Sequence, residues 1–293
     1  MKGRVDQLAI LLGNTDETSF RSLHCMGVLP KENTYQPEDD AQVCYGLVFD
    51  LMLPRSKSPS TSAPAILALS DLYEKRRKPS LNERLCIAID LAEAVLQLHT
   101  TGWLHKGIRP NNILFVETCS QMWEAGTAKG PYLAGYVYAR PSNAETEMVY
   151  SQPVHDLYRH PLAQGTAKQN FKKSFDIFAL GCILLEVALW ESFRDIITRI
   201  SEKRSGTTMD EKHPAGLSKG PSSISEWAQI HAAKDQLLHN AKKGSDLADV
   251  AFHVGETYEE VILLCLHCPT DDPDDEDLET QKRVVEKLRD CRF

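Results

Sequence analysis

The sequence lacks the features that mark nucleic-acid-binding, secreted and membrane-spanning proteins. Its 293 residues carry a net charge of −8, so there is no positive excess to attract a nucleic acid or an anionic membrane. Its eight cysteines show no disulfide-framework spacing, and no signal peptide is visible. The most apolar stretch, Ile177–Trp190, is too short to span a bilayer and contains Glu186. We therefore expect a cytoplasmic protein with reduced thiols that binds neither membranes nor nucleic acids.

The N-terminal part is predicted to be a small sheet with one helix. Apolar residues at helical spacing predict a helix over Val5–Gly13. The apolar and β-branched runs Phe20–Leu29 and Val43–Met52 predict two strands. A stretch rich in Ser and Pro then separates this part from the rest of the chain. The expected divisions are 1–54 for the small part, 55–65 for the linker and 66–293 for a larger part.

The larger part is predicted to be mainly helical. Ser80 and Glu83 form a capping box, and apolar residues at helical spacing follow as far as His99. Asp176–Trp190 is apolar nearly all round, as expected of a helix buried in a domain centre. A helix is also expected over Ile66–Lys78. Further predictions are helices at Ser225–Ala241, Glu256–Cys265 and Glu279–Arg289, strands at Ile113–Phe115 and Tyr132–Ala134, an irregular insertion over Val116–Gly130 and a loop over Ser201–Ser223.

The segment His105–Asn112, reading HKGIRPNN, resembles the catalytic loop of protein kinases. That loop usually reads His-Arg-Asp, an aliphatic residue, Lys, Pro, any residue and Asn. Tyr158–Pro161 resembles the end of the kinase activation region, and Ser174–Glu186 resembles the central helix of the larger kinase lobe. The order of these motifs implies an α+β, protein-kinase-like fold with a truncated small N-terminal lobe and a mainly helical C-terminal lobe.

The resemblance assigns catalytic roles to positions where this sequence departs from the kinase pattern. The Asp that orients the attacking hydroxyl corresponds to Gly107, which has no side chain to accept a proton. The nearby positive residue corresponds to Arg109, and the metal-binding Asn corresponds to Asn112, which is present. The Asp-Phe-Gly segment that holds magnesium corresponds to Gly135, Tyr136 and Val137. The catalytic loop and the metal segment are therefore both degenerate.

The resemblance assigns structural roles to two other residues. Asp176 would hold the backbone of the catalytic loop, and His105 would pack in the core. The sequence shows neither a glycine-rich phosphate loop nor a Val-Ala-Ile-Lys type of lysine. Asn112 is either a weak cofactor contact or a loop-stabilising amide. We expect a pseudokinase with no intact catalytic residue, no cofactor and no metal, acting as an interaction or regulatory module for an unidentified protein partner.

Two enzymatic alternatives stay open at this point. One is a diverged kinase that binds ATP and Mg²⁺ and phosphorylates Ser or Thr of proteins, with Glu145 or Glu147 replacing the lost carboxylates. The other is a small-molecule phosphotransferase of the aminoglycoside-kinase type, which would lack the same two acids.

Four sequence segments carry a more specific resemblance, to kinase-like domains of filamentous fungi. Some of those domains accompany heterokaryon-incompatibility or prion-inhibition domains. These segments are Gly102–Arg109, Ala134–Pro141, Asp156–Pro161 and Phe171–Asp176.

One pair of cysteines has the spacing of a zinc site. Cys265 and Cys268 are separated by two residues, but no second pair follows at a suitable distance. We therefore expect this pair to be part of a helix end and not a metal site.

Overall fold

The computed structural model describes residues 2–16, 20–31, 44–51, 64–75, 77–117, 129–144, 153–164, 170–205, 224–241, 248–270 and 274–292. Within these residues the architecture is α+β, with few antiparallel strands and mostly helices, as the sequence predicts. Most of the linker at 55–65 lies outside the described residues, so the division of the chain at this linker stays a prediction. No helix in the described part of the chain is long and apolar enough to cross a membrane.

The N-terminal part contains one helix and a two-stranded sheet. Helix α1 spans Lys2–Asn14, strand β1 spans His24–Lys31 and strand β2 spans Cys44–Asp50. The strands pair antiparallel, and α1 buries Leu8 and Leu12 in a cluster to which this sheet also contributes. The predicted helix and both strands are confirmed, although β1 begins four residues later than the pattern indicates.

The helix expected over Ile66–Lys78 is wrong in its first residues. Ala65–Ala68 forms strand β3, and helix α2 covers only Leu69–Lys75. Strand β3 pairs antiparallel with β5 (Ile113–Glu117), which also pairs with β6 (Lys129–Leu133). A short apolar run is compatible with either a helix or a strand, and here a partner strand far along the chain decides.

The predicted capping box is confirmed at the start of the helix that follows Ser80. Helix α3 spans Leu81–Thr100. The Ser80 hydroxyl accepts a hydrogen bond from the Glu83 amide (3.2 Å), and the Glu83 carboxylate accepts one from the Ser80 amide (2.7 Å). After α3 comes the short strand β4 (Trp103–Leu104), which pairs with β7 (Arg140–Pro141). This pairing places the start of the loop that follows β4 next to β7.

The core of the larger part is built around one helix. Helix α5 (Lys173–Leu189) is buried at every residue from Lys173 to Ala188. A Cβ added at Gly181 would lie 2.8 Å from Cys265 Cβ, so glycine allows α5 to pack closely against α8 (Ala248–Leu266). The helix predicted over Asp176–Trp190 is thus confirmed. The helices after β7 are α4 (Pro153–Asp156), α5 (Lys173–Leu189), α6 (Phe193–Ser205), α7 (Ile224–Ala241), α8 (Ala248–Leu266) and α9 (Asp274–Asp290).

Several boundaries in this part differ from the sequence predictions. The loop expected over Ser201–Ser223 is wrong for its first five residues, because α6 continues to Ser205. The rest of that loop lies outside the described residues. Helix α8 begins at Ala248, eight residues before the predicted start, and passes through Gly255, whose φ of 77° interrupts the helical geometry. The periodicity breaks at this glycine, which explains why the pattern indicates only the second half.

Candidate functional site

The carboxylate of Asp176 holds the start of the loop at His105–Asn112. Asp176 lies in the first turn of α5 and is 1% exposed. Its Oδ2 accepts a hydrogen bond from the His105 amide (2.7 Å), and its Oδ1 accepts one from the Lys106 amide (2.9 Å). The same Oδ2 lies 3.1 Å from Nε2 of His99 on α3. These contacts fix the loop to the two central helices of the larger part.

The His105 side chain joins this loop to the segment that follows β6. Its Nε2 donates to the Ala134 carbonyl (2.9 Å), and its Nδ1 accepts from the Gly107 amide (3.2 Å). Its ring lies 4.9 Å from that of Tyr136, centre to centre. Burial lowers the pKa of His105 to about 4, so the imidazole is neutral at pH 7. A neutral, fully buried ring with both nitrogens engaged is a structural link.

The amide of Asn112 fills the space between Gly107 and Gly135. Its Nδ2 donates to the Gly107 carbonyl (2.7 Å). Gly135 has a left-handed φ of 78°, and a Cβ placed there would lie 2.2 Å from Asn112 Cγ. At Gly107, by contrast, an added Cβ would come no closer than 3.5 Å to any atom outside the adjacent residues. A Cβ therefore fits at Gly107, whereas a Cβ at Gly135 must displace Asn112.

The described residues around these glycines do not fit a magnesium–nucleotide site. Magnesium prefers hard oxygen ligands, usually carboxylates together with phosphate. Neither glycine position provides a carboxylate, and the Asn112 amide is engaged with Gly107. In the described part of the chain, no group of three or more His, Cys, Asp or Glu could hold a metal ion. Glu145 and Glu147, the proposed substitutes, lie outside the described residues.

The two residues that follow Gly135 lie in different surroundings. Tyr136 is buried in a cluster with Leu12 of α1, Leu98 of α3 and Trp103 of β4. Val137 is 72% exposed. Tyr136 therefore connects α1 to the loop, and Val137 has no packing role among the described residues.

A cleft on one side of the loop is lined by positively charged groups. Its walls include Lys106 and Arg109 from the loop, Tyr138 from the segment after β6, and His155 and Arg159 from the region around α4. We call this the basic cleft. Sequence reasoning identified Arg109 but missed the cleft, because nothing in the local pattern indicates that residues almost fifty positions further on return to this loop.

The charges in the basic cleft are only partly compensated. The Lys106 ammonium lies 5.5 Å from the centre of the Phe171 ring, and burial, followed by the charge of Arg140, lowers the pKa of Lys106 to about 8. Burial lowers the pKa of Arg109, whose Nε is buried and has no hydrogen-bond partner among the described residues. The guanidinium of Arg159 lies 3.4 Å from the carboxylate of Asp156. The Asp176 carboxylate favours the charged form of Lys106 but does not offset its burial.

Comparison with known proteins gives a partial match to a kinase. No protein-family profile matches the chain. The chain is 27% identical over 122 residues to cyclin-dependent kinase G1 of Arabidopsis thaliana, an alignment that covers 41% of this chain and 18% of the plant protein. Together with the architecture, this similarity supports one conclusion. The fold is protein-kinase-like. Because the alignment covers less than a fifth of the plant kinase, it carries no statement about activity.

Two buried polar residues support the wall of the basic cleft in this kinase-like domain. Lys234 of α7 is fully buried, and its ammonium donates to the carbonyls of Asp156 (3.2 Å), Leu157 (3.0 Å) and Arg159 (3.1 Å). The carboxylate of Glu186 accepts hydrogen bonds from the Tyr158 hydroxyl (2.7 Å) and other donors. The segment that carries Arg159 is therefore tied to the core from both α7 and α5.

The Glu186 carboxylate is itself unusual, because no cation pairs with it among the described residues. Besides Tyr158, it accepts from the Tyr73 hydroxyl (3.2 Å) and the Phe193 amide (2.6 Å). Burial outweighs these three hydrogen bonds and raises the pKa of Glu186 to about 8. The sequence indicates that Glu186 is buried but does not show the hydroxyls that surround it.

The cysteine pair with zinc-like spacing consists of two buried cysteines that form no disulfide within the described residues. Cys265 is the penultimate residue of α8. Burial raises the pKa of its thiol well above the usual value. Cys268 Sγ lies 3.7 Å from Oδ1 of Asp277. The pair lies at a helix end, as the sequence predicts.

Proposed function

We propose that this kinase-like domain does not transfer phosphate and acts as a protein-interaction or regulatory module in cytoplasmic signalling. The observation that carries the proposal is the interlock of Gly107, Asn112 and Gly135. Phosphoryl transfer requires a group that orients the attacking hydroxyl and carboxylate ligands for the metal. Glycine at both positions removes these groups, and the one remaining metal-type side chain is engaged in holding the loop.

The expected effect of these losses on rate is large. Removing one group that acts only in the transition state commonly costs several orders of magnitude, and groups that act as a unit cannot substitute for each other. By contrast, the contacts that maintain the loop are retained, with Asp176 and His105 fully engaged. A well-formed scaffold without reacting groups is what an interaction module requires.

The proposal extends to the type of signalling. The four segments that resemble fungal kinase-like domains suggest an origin in self/non-self or immune-type recognition, in which the relevant partner is another protein. No nucleic acid or membrane is needed for this role. The net charge of −8 also favours a protein partner over a polyanion.

A phosphotransfer assay tests the proposal directly. Purified protein is incubated with γ-labelled ATP, Mg²⁺ or Mn²⁺ and a general protein substrate, and we expect no incorporation of label. In parallel melts, Mg²⁺ should add nothing to any effect of ATP, because only a ligand that binds the folded state shifts the melting temperature. Incorporation that Asn112→Ala abolishes would favour the second candidate, a diverged ATP-dependent kinase, for which the match to a plant kinase is the supporting observation.

A further inference from the structure

Strand β2 has more apolar surface than its described neighbours cover. Its residues Cys44–Asp50 read CYGLVFD, and only the last of them is charged. A strand with apolar residues on both faces is typical of the interior of a sheet. Among the described residues, however, β2 pairs with β1 alone, and none of residues 45–51 is buried. The composition of β2 therefore indicates a further neighbour.

The open edge of β2 carries the backbone groups of every second residue. Pro30 of β1 lies opposite Tyr45, and because proline has no N–H, it occupies a position whose amide side faces away from the partner strand. Bonded and non-bonded pairs alternate along an antiparallel ladder, so Tyr45, Leu47 and Phe49 direct their N–H and C=O groups away from β1. Among the described residues, no backbone hydrogen bond from outside the β1–β2 pair reaches them.

The outer edge of β1, by contrast, is protected against pairing. The ladder is irregular between Cys25 and Gly27, and Pro30 presents no amide at this edge. Bulges and prolines are devices that stop an edge strand from pairing with another chain. Residues 45–49 of β2 contain no proline, no charged side chain and no extra residue. The two edges of this hairpin thus differ, and only the edge of β2 is suited to accept a strand.

We propose that β2 pairs antiparallel with β2 of a second copy of this chain, so that the two hairpins form one continuous sheet. With Leu47 opposite Leu47 of the second copy, Tyr45 of each copy lies opposite Phe49 of the other, and each of these pairs exchanges both backbone hydrogen bonds. Aromatic pairs directly opposite each other stabilise antiparallel strands. A two-stranded sheet is marginally stable by itself, whereas a wider sheet is more stable.

Two features of β2 make it self-complementary. In the antiparallel arrangement Asp50 of each copy lies opposite Cys44, so the two Asp50 carboxylates are about 20 Å apart, at opposite ends of the shared pair. At the same end of β2, Phe49 packs against a cluster that includes Val116 and Tyr132 of the larger part. Antiparallel pairing therefore places the larger parts of the two copies at opposite ends of the sheet, which keeps them apart. The same surface on both copies forms a closed, two-fold dimer.

This inference goes beyond the proposed absence of phosphate transfer, and the two can fail separately. Self-association is measured without nucleotide, and phosphate transfer is measured with labelled ATP. A monomeric protein that transfers no phosphate rejects the dimer alone, whereas a dimer that transfers phosphate rejects the inactive domain alone.

The test is sedimentation velocity on the full chain over a range of protein concentrations at fixed ionic strength. We expect the sedimentation coefficient to rise with concentration from that of a monomer to that of a dimer, and not beyond, because a two-fold contact through one edge closes on itself. A protein that remains monomeric up to submillimolar concentration would contradict the inference and would leave the edge of β2 to an unrelated strand.

A matched pair of proline variants tests which edge pairs. Leu47→Pro removes a backbone donor at the centre of the proposed contact in both copies, and it should weaken dimerisation about tenfold or more. Val28 is the cross-strand partner of Leu47, and its amide faces the outer edge of β1. Val28→Pro should therefore leave the dissociation constant unchanged. Far-ultraviolet circular dichroism of each variant shows whether it is folded.

A pair of lysine variants keeps every backbone donor and decides the question if a proline variant does not fold. Val48→Lys places like charges on adjacent strands of the proposed dimer, and it should also weaken dimerisation about tenfold or more. Met26, which is 68% exposed on β1, provides the control, and Met26→Lys should have no effect. Dimerisation that survives Val48→Lys, or that Met26→Lys weakens equally, would overturn the inference.

Discussion

Replacing Gly135 by alanine tests most directly whether Gly107, Asn112 and Gly135 form an interlock. The added Cβ would lie 2.2 Å from Asn112 Cγ, so the amide must leave its position. That movement loses the hydrogen bond to the Gly107 carbonyl, worth about 1 kcal/mol. Alanine at a φ of 78° adds about 1–2 kcal/mol of backbone strain. We therefore expect Gly135→Ala to lower the free energy of unfolding by about 2–3 kcal/mol.

Gly107→Ala is the matched control, because it makes the same chemical change on the other side of Asn112. The nearest atom to its Cβ is Asn112 Nδ2 at 3.5 Å, which is an ordinary contact. We expect a change close to zero, or a gain of about 0.5 kcal/mol from reduced entropy of the unfolded chain. The two alanine variants, 28 positions apart, should therefore differ in stability by about 3 kcal/mol.

A double-mutant cycle separates the steric contribution from the backbone strain. Asn112→Ala alone should cost about 1 kcal/mol through the lost hydrogen bond. In its presence, Gly135→Ala should cost only the strain, so the double variant should be about 1 kcal/mol more stable than the sum of the single changes. The measurement is guanidinium unfolding followed by far-ultraviolet circular dichroism. Additive effects, or equal costs at positions 107 and 135, would refute the interlock.

Three further predictions concern the buried polar groups. The pKa of Glu186 is raised to about 8 in the folded state from an ordinary value near 4.5. The contribution of the protonated carboxyl to the free energy of unfolding is therefore complete below pH 4.5 and is lost as the pH rises to about 8. Glu186→Gln should abolish this pH-dependent loss of stability, which is on the order of 4 kcal/mol. The measurement compares the unfolding free energies of variant and wild type at pH 5 and pH 8. Asp176→Asn replaces one acceptor by a donor that faces a backbone amide, and melts should show a loss of about 2–3 kcal/mol, whereas an unchanged melting temperature would contradict the geometry. Lys234→Met leaves three carbonyls without their donor, and denaturant unfolding should show a cost of about 3 kcal/mol, with wild-type stability as the refuting result.

The parts of the fold that the sequence predicts are those determined by short-range patterns. The capping box at Ser80 and Glu83 requires only residues three positions apart, and the burial of α5 follows from its composition. The strand at Ala65–Ala68 was missed because its structure depends on pairing with β5, some fifty residues later. Local patterns do not contain that information.

The same limit applies to the candidate site. The motif spacing identifies Gly107, Asn112 and Gly135 as the positions that matter, but not that the Asn112 amide fills the space at Gly135. Whether the space beside a glycine is empty or occupied depends on the side-chain rotamer of a residue across the loop. The basic cleft was missed for a related reason. His155 and Arg159 line the same cleft as Arg109, and the residues between them, Leu157 and Tyr158, are held by distant residues of α7 and α5.

The difference between the two glycines also bears on how a carboxylate could be introduced at either position by mutation. A change of Gly107 to Asp places its Cβ at ordinary contact distance from its neighbours, 3.5 Å or more. A change of Gly135 to Asp is opposed by the side chain of Asn112 and by the left-handed backbone. The order of steps is therefore constrained: the loop must first release the Asn112 amide, losing stability, before a metal ligand can be placed at 135. Position 107 can therefore gain a Cβ directly, whereas position 135 can gain one only after Asn112 has moved.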